Sequence, residues 1–159
     1  MERVIDVAAF ICAEFSSRFG KQIDEMKLHK LLYFVQRRSI ADTNEPMFNA
    51  TFHAWKYGPV LPEIRDLYKS GTLQSSETSL SGNSKQIIYA VMKDLAGSDS
   101  LLLSSISHGD LSWQRARDRM NRGEGDNMDI NDIREDAMRY KRRREWLKGW
   151  HEFQNSSML

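Results

Sequence analysis

The chain has 159 residues, of which 40% are hydrophobic and 28% are charged, and its 23 Lys and Arg nearly balance 22 Asp and Glu. This composition excludes a disordered or collagen-like chain, and the length suits one folded domain spanning residues 1–159. The formal net charge of +1 provides no overall field that would attract nucleic acid or an anionic membrane.

The cysteine content and the N-terminal sequence indicate the cellular compartment of the protein. Cys12 is the only cysteine, which excludes an intramolecular disulfide and fits a reducing environment. The longest apolar run, from Val7 to Ala13, is far shorter than the roughly 18 residues of a membrane span, and Asp6 interrupts the start of a signal-like segment. These features predict a cytoplasmic protein that does not enter a membrane.

The first 40 residues show apolar side chains at helical spacing. A first helix is expected to end at Gly20, because glycine readily adopts the left-handed conformation that closes a helix. Asp24 is expected to cap a second helix whose apolar face is wide enough to make it central. Its core positions are Leu28, Leu31, Leu32 and Val35, flanked by Tyr33 and Phe34.

The next segment changes character. Residues 50–57 are aromatic but lack helical periodicity, which predicts an extended segment or a short strand near residues 50–56. Gly58 and Pro59 are then expected to break the chain. Pro62 falls in the first turn of a third helix, which is expected to end at Gly71.

A serine-rich stretch over residues 70–84 predicts a flexible surface loop. Asn83 or Ser84 is expected to cap a fourth helix that stops at Gly97, and the apolar residues after it predict a short, buried fifth helix. The buried positions of that fifth helix would be Leu101, Leu102, Leu103 and Ile106.

Two further helices are expected before the C-terminus. Ser112 is a candidate cap for the first, and the second is expected to begin near Asp129. The inward positions of the last helix would be Ile130, Ile133, Ala137, Tyr140 and Leu147. The sequence therefore predicts a mainly α fold, a compact bundle of six or seven helices with at most one short strand.

Motifs of enzymes and metal proteins are missing from the sequence. It contains no P-loop, dinucleotide fingerprint or nucleophile elbow, and its four histidines are scattered singly rather than paired at metal-ligand spacing. We therefore expect neither an enzyme nor a bound metal or cofactor. An unfamiliar catalytic site around His53, His108 and Asp110 is the alternative that this pattern leaves open.

Residues 141–159 form a basic and aromatic tail, in which the run from Lys141 to Arg144 precedes Trp146 and Trp150. Cations next to aromatic rings suit single-stranded nucleic acid, an acidic protein partner, or simply a solvated helix face. Because the chain as a whole is nearly neutral, nucleic acid is not the expected partner.

Three segments carry a family resemblance. They read MKLHKLLYFVQ over residues 26–36, AWKYGPVLPEI over 54–64 and SHGDLSWQRAR over 107–117. In this order they resemble the Panacea-domain family, which is also described as SocA-like or GepA-like phage-associated proteins. The resemblance extends from the first helix to about Tyr140, and it departs from the family pattern at His29, where glutamine is usual.

This resemblance implies an antitoxin-like domain that neutralises a cognate toxin, encoded nearby, by direct contact. The alternative that it also implies is a proteolytic adaptor, which delivers a toxin or another partner to an energy-dependent protease. Residues of the family motif are candidates for partner contact or for building the fold, and both roles stay open. They are Lys30, Tyr33, Trp55, Tyr57, Gly58, Pro59, His108 and Trp113.

Overall fold

The computed structural model describes residues 1–73 and 80–157, which form seven helices and one two-stranded hairpin. The helices are α1 Val4–Phe19, α2 Glu25–Thr43, α3 Pro62–Ser70, α4 Gly82–Leu95, α5 Ser100–His108, α6 Leu111–Asn121 and α7 Ile130–Ser157. The strands are β1 His53–Trp55 and β2 Gly58–Val60. The predicted mainly α fold class is confirmed.

Helix α2 lies at the centre and contacts α1, α3, α4, α5, α7 and β2. Its start and end follow from local chemistry, because the Asp24 carboxylate accepts a hydrogen bond from the Lys27 N–H at 2.8 Å and Asn44 closes the helix with φ +67°. Ten consecutive residues, 28–37, are buried. A helix buried on all sides must find internal partners for its polar side chains.

Gln36 illustrates how α2 meets this requirement. Its amide nitrogen donates to the Phe48 carbonyl at 2.8 Å, and its amide oxygen accepts from the Met47 N–H at 2.8 Å. Both bonds are buried and hold the segment that leads from α2 toward the hairpin. A buried polar side chain thus fixes the path of a loop.

The hairpin differs in detail from the sequence expectation. Strand β1 lies in the predicted extended segment, but Gly58 and Pro59 begin a second strand instead of breaking the chain. The strands pair antiparallel, with Trp55 opposite Gly58. Proline is tolerated because β2 is an edge strand, where a missing N–H that faces away from β1 leaves no ladder bond unmade.

The limits of α4 were predicted incorrectly by a few residues. Ser81, rather than Asn83 or Ser84, is the cap, and its hydroxyl accepts from the Ser84 N–H at 3.1 Å. The helix closes at Ala96 rather than Gly97. Several small polar residues in a row can each cap a helix, and contacts made elsewhere decide among them.

The loop between α3 and α4 is shorter than the predicted loop over residues 70–84. Ser70 belongs to α3, and residues 82–84 belong to α4. Residues 74–79, the middle of the predicted flexible loop, lie outside the described residues. Their predicted flexibility therefore stays a prediction.

Helix α5 is less buried than its sequence suggested. Leu103 is fully buried, whereas Leu101 and Leu102 are 62% and 52% exposed and Ile106 is also exposed. The helix packs one face against α2 and β2 through Leu103, Ser104 and Ser107. An apolar run in a nine-residue helix covers its whole circumference, so only part of it can face the core.

Helix α7 begins at Ile130, close to the predicted start, and buries Ile133 and Ala137 as expected. Ile130 and Leu147 were wrongly assigned to the core, since they are 37% and 45% exposed. Residues 141–157 continue the helix, and their described side chains are exposed. The periodic pattern predicted the helix correctly, but it does not reveal how far along α7 other elements pack against it.

His29 is buried in α2, and it supports the start of α3. Its Nδ1 accepts a hydrogen bond from the Leu61 N–H at 3.2 Å, so the ring is neutral with its proton on Nε2. Burial, reinforced by Lys30 and Arg65, lowers the pKa of His29 to about 3. These effects outweigh the Glu25 carboxylate, which lies 3.6 Å from Nε2.

His29→Gln is expected to flatten the acid side of the stability profile, because glutamine retains an acceptor for Leu61 N–H but does not titrate. In the wild type, the unfolded imidazole binds a proton near pH 6.5 and the folded one only near pH 3, so stability falls as the pH drops through this window. Between pH 7 and 4 the wild type should lose on the order of 2–3 kcal/mol more than the variant.

Urea unfolding followed by circular dichroism across this pH range measures the difference. The matched control is His151→Gln, which removes an exposed imidazole. Parallel profiles for wild type and His29→Gln would contradict a neutral buried imidazole.

Candidate functional site

Seven of the eight residues singled out from the sequence lie around the β1–β2 hairpin. Lys30, Gly58 and Pro59 are buried beneath or within it, Tyr57 is 52% exposed at its turn, and the others are half-buried beside it. Those half-buried residues are Trp55, His108 and Trp113. Tyr33, the eighth, is fully buried and contacts the start of α6 instead.

Lys30 supports the hairpin from below. Its ammonium group donates to the Pro59 carbonyl at 3.1 Å, and only 1% of the residue is exposed. Burial lowers the pKa of Lys30 to about 8, while the carboxylates of Asp24 and Glu25 act in the opposite direction. The side chain therefore acts as a buried donor to the backbone of β2.

Gly58 allows the hairpin to lie directly on this lysine. Its φ is +110°, and a Cβ at this position would lie 2.7 Å from Lys30 Cε and 2.6 Å from Ser107 Oγ. Both the backbone conformation and the space require glycine. The sequence predicts a chain break at Gly58, but the need for glycine comes from Lys30, a partner 28 positions away.

Helix α5 holds the turn of the hairpin. The Ser104 hydroxyl donates to the Tyr57 carbonyl at 2.7 Å, and the Ser107 hydroxyl donates to the Ser104 carbonyl at 2.7 Å. The side chains of Lys56 and Tyr57 are exposed at this turn. The Lys56 ammonium lies 5.4 Å from the centre of the Tyr57 ring.

Helix α6 holds the outer strand. The Trp113 indole N–H donates to the Trp55 carbonyl at 3.0 Å, and Arg117 donates to the Ala54 carbonyl at 3.1 Å. The His108 ring stacks on Trp113 with centroids 4.0 Å apart and planes 19° apart. Burial lowers the pKa of His108, against a backbone hydrogen bond with Lys56 that raises it, and the charges of Lys30 and Arg117 also lower it, which favours the neutral imidazole.

A buried network behind the hairpin joins α2 to α6. The Tyr33 hydroxyl donates to the Asp110 carboxylate, and Arg37 donates to both oxygens of that carboxylate at 3.2 and 3.0 Å. Burial raises the pKa of Tyr33 well above its ordinary value, which keeps the hydroxyl protonated as a donor. This network holds Asp110, the N-cap of α6, three residues before Trp113.

Asp136 completes the network from α7. Its carboxylate accepts from the Leu111 and Ser112 N–H groups at 2.8 and 2.9 Å, so it caps α6 from another helix. Burial and the nearby Asp110 raise the pKa of Asp136, and these two hydrogen bonds oppose the rise. Nothing local in the sequence indicates this role, because the partners of Asp136 lie 25 and 24 residues away.

The outer surface of the hairpin, which we call the hairpin face, is formed by five residues. Two are exposed and three are half-buried: Lys56 and Tyr57, and Trp55, Arg65 and His108. The Arg65 guanidinium lies 5.2 Å from the centre of the Trp55 ring and also pairs with Glu25 at 3.4 Å. The face therefore combines aromatic rings with two cations on a backbone held from three helices.

The contacts give no support to catalysis at this face. His53 pairs with Asp126 at 2.8 Å, Asp110 binds Tyr33 and Arg37, and His108 stacks on Trp113, so the three residues of the alternative catalytic site have separate partners. Within residues 1–73 and 80–157, no group of three His, Cys, Asp or Glu side chains is placed to hold a metal ion. Within the same ranges, no helix has the length and apolar character needed to span a bilayer.

Gly58→Ala is expected to destabilise the fold by roughly 2–4 kcal/mol, because the new Cβ would clash with Lys30 and Ser107 and the backbone would be strained. Urea unfolding measures this loss. Gly71→Ala is the control, since Gly71 also has positive φ, +70°, but no atom within 4 Å of an added Cβ. The control should lose about 1 kcal/mol, and equal losses would contradict the close packing at Gly58.

Comparison with known proteins identifies the family of this chain. Residues 28–114, more than half of the chain and including α2, the hairpin and the start of α6, match the family described as antitoxin SocA-like, Panacea domain. Antitoxin SocA of Caulobacter vibrioides (strain NA1000 / CB15N) is 45% identical over 42 residues, a match that covers 26% of this chain and 22% of that relative. No solved structure matches. The chain belongs to the SocA-like, Panacea-domain family of antitoxins.

Proposed function

We propose that this protein is a non-enzymatic antitoxin that neutralises a cognate toxin by direct contact, and that the hairpin face is the surface that binds the toxin. The supporting observation is the way the hairpin is held. Lys30, Ser104 and Trp113 each donate to a backbone carbonyl of residues 55–59. A surface ordered before binding loses less conformational entropy when the partner docks.

The composition of the hairpin face suits a protein partner. Tryptophan, tyrosine and arginine are the residues that most often dominate binding energy at protein interfaces. The exposed Tyr57 at the turn offers a rigid ring with a polar end, and Lys56 and Arg65 supply positive charge. The expected complement is a toxin surface with an apolar pocket bordered by acidic residues.

We also propose that the gene for the toxin lies next to the gene for this protein, and that the pair is associated with phage. The name of the Caulobacter relative, antitoxin SocA, supports the antitoxin role, although that match covers only 22% of the relative. The adaptor alternative gains no support from the fold or from the comparisons, and no observation favours a protease as a second partner.

Tyr57→Ala is expected to weaken binding to the purified product of the adjacent gene at least tenfold, because the variant removes the most exposed aromatic ring of the hairpin face. Isothermal titration calorimetry measures the affinity, and growth of cells that co-express both proteins measures neutralisation. The variant should retain the wild-type unfolding curve, since the Tyr57 ring is half exposed.

Tyr89→Ala is the matched control, because Tyr89 is 38% exposed on α4 and contacts Phe10 and Arg18 rather than the hairpin. It should bind and protect as the wild type does. Wild-type affinity in Tyr57→Ala, or a wild-type protein that neither binds the neighbouring product nor relieves its toxicity, would contradict the proposal.

A further inference from the structure

The exposed second half of α7 carries an aromatic stripe that the hairpin face does not explain. Trp146, Trp150 and Phe153 follow one another at intervals of four and three residues, and they are 66%, 46% and 61% exposed. This spacing places all three on one side of the helix. The two tryptophan rings are parallel, with centroids 6.2 Å apart. The Phe153 ring stacks on the far side of Trp150, with centroids 5.8 Å apart.

The same side of the helix is cationic one turn earlier. Arg142 and Arg143 precede Trp146 by four and three residues and are exposed. Within the described part of the chain, Arg144 is the member of the run 141–144 with an ion pair, to Asp42 at 3.1 Å. We call Arg142, Arg143, Trp146, Trp150 and Phe153 together the C-terminal stripe.

The acidic residues earlier in α7 do not neutralise these cations. Asp132 and Glu135 each lie 2.7 Å from Arg115 of α6, and Asp136 caps that helix. Their charge is thus matched within the fold, while the positive charge of the C-terminal stripe faces solvent. An unmatched cationic turn followed by an unburied aromatic stripe is typical of a docking surface.

We propose that the C-terminal stripe is a second docking surface, and that it binds an acidic amphipathic helix of the same toxin. Acidic residues of that helix would pair with Arg142 and Arg143, and its apolar face would cover Trp146, Trp150 and Phe153 over the next two turns. The alternating intervals of four and three residues are those with which two helices pack along a seam. This inference rests on the proposed function.

The order of charges favours a protein helix over other occupants. Single-stranded nucleic acid needs cations alongside the stacked rings, whereas here Lys148 is the one Lys or Arg after Arg144 and Glu152 lies next to Phe153. A helix that lies on a membrane surface likewise needs cations along the length of its apolar face. A second copy of this chain would present the same cationic run rather than an acidic one.

The test uses the full chain and the purified product of the adjacent gene. Two double variants remove one half of the stripe each: Trp146→Ala with Trp150→Ala, and Arg142→Glu with Arg143→Glu. Each should raise Kd at least tenfold, and the wild-type complex should weaken between 50 and 500 mM salt, more steeply than the complex of the arginine variant. The unfolding curves should match that of the wild type, because these side chains are exposed.

Asn155→Ala is the control, since Asn155 is exposed on the opposite side of the same helix and should leave Kd unchanged. Unchanged Kd in both double variants, with Tyr57→Ala still impaired, would overturn the C-terminal stripe while the hairpin face stands. A wild-type protein that does not bind the neighbouring product would overturn both.

Three further probes identify another occupant. They are a 20-nucleotide single-stranded DNA, vesicles of phosphatidylcholine and phosphatidylglycerol, and self-association measured by analytical ultracentrifugation. Binding or self-association that the Trp146→Ala, Trp150→Ala variant abolishes, without an effect of that variant on the neighbouring product, would overturn the proposed protein helix in favour of that occupant.

Discussion

The fold depends on one constraint: helix α2 is buried over ten consecutive residues, yet it carries polar side chains. These bond inside the fold, although His29 Nε2 and Arg37 Nε have no hydrogen-bond partner among the residues that the structure describes. An unpaired buried donor or acceptor costs about 1–3 kcal/mol, so each of these side chains fixes whatever it bonds to. Lys30 fixes β2, Gln36 fixes the segment after α2, and Arg37 fixes the start of α6 through Asp110. The central helix therefore determines the path of its surroundings.

This arrangement connects the interior to the surface. The hairpin is too short to be stable alone, and donors from α2, α5 and α6 bind its backbone instead. Backbone carbonyls of the hairpin thus accept hydrogen bonds from within the fold, and the exposed side chains are available to a partner. The residues that match the family, 28–114, include the hairpin.

Local signals explain which parts of the structure were predictable. The caps at Asp24 and Gly20 and the start of α3 at Pro62 are encoded within a few residues, and they were predicted correctly. The exposure of Leu101 and Leu147 was not predictable, since hydrophobicity does not reveal which face lacks a neighbour. Bonds such as those from Leu111 and Ser112 to Asp136 join distant residues, so the polar network behind the hairpin had no sequence signal.

The central claim is that the hairpin face binds the toxin, and nuclear magnetic resonance of the isotope-labelled chain tests it most directly. When the unlabelled product of the adjacent gene is added, the account predicts that, within residues 4–121, the amide signals of residues 55–57 and of His108 shift or broaden most. Complex formation that changes signals of α1 and α4, while those of the hairpin stay unchanged, would contradict the account.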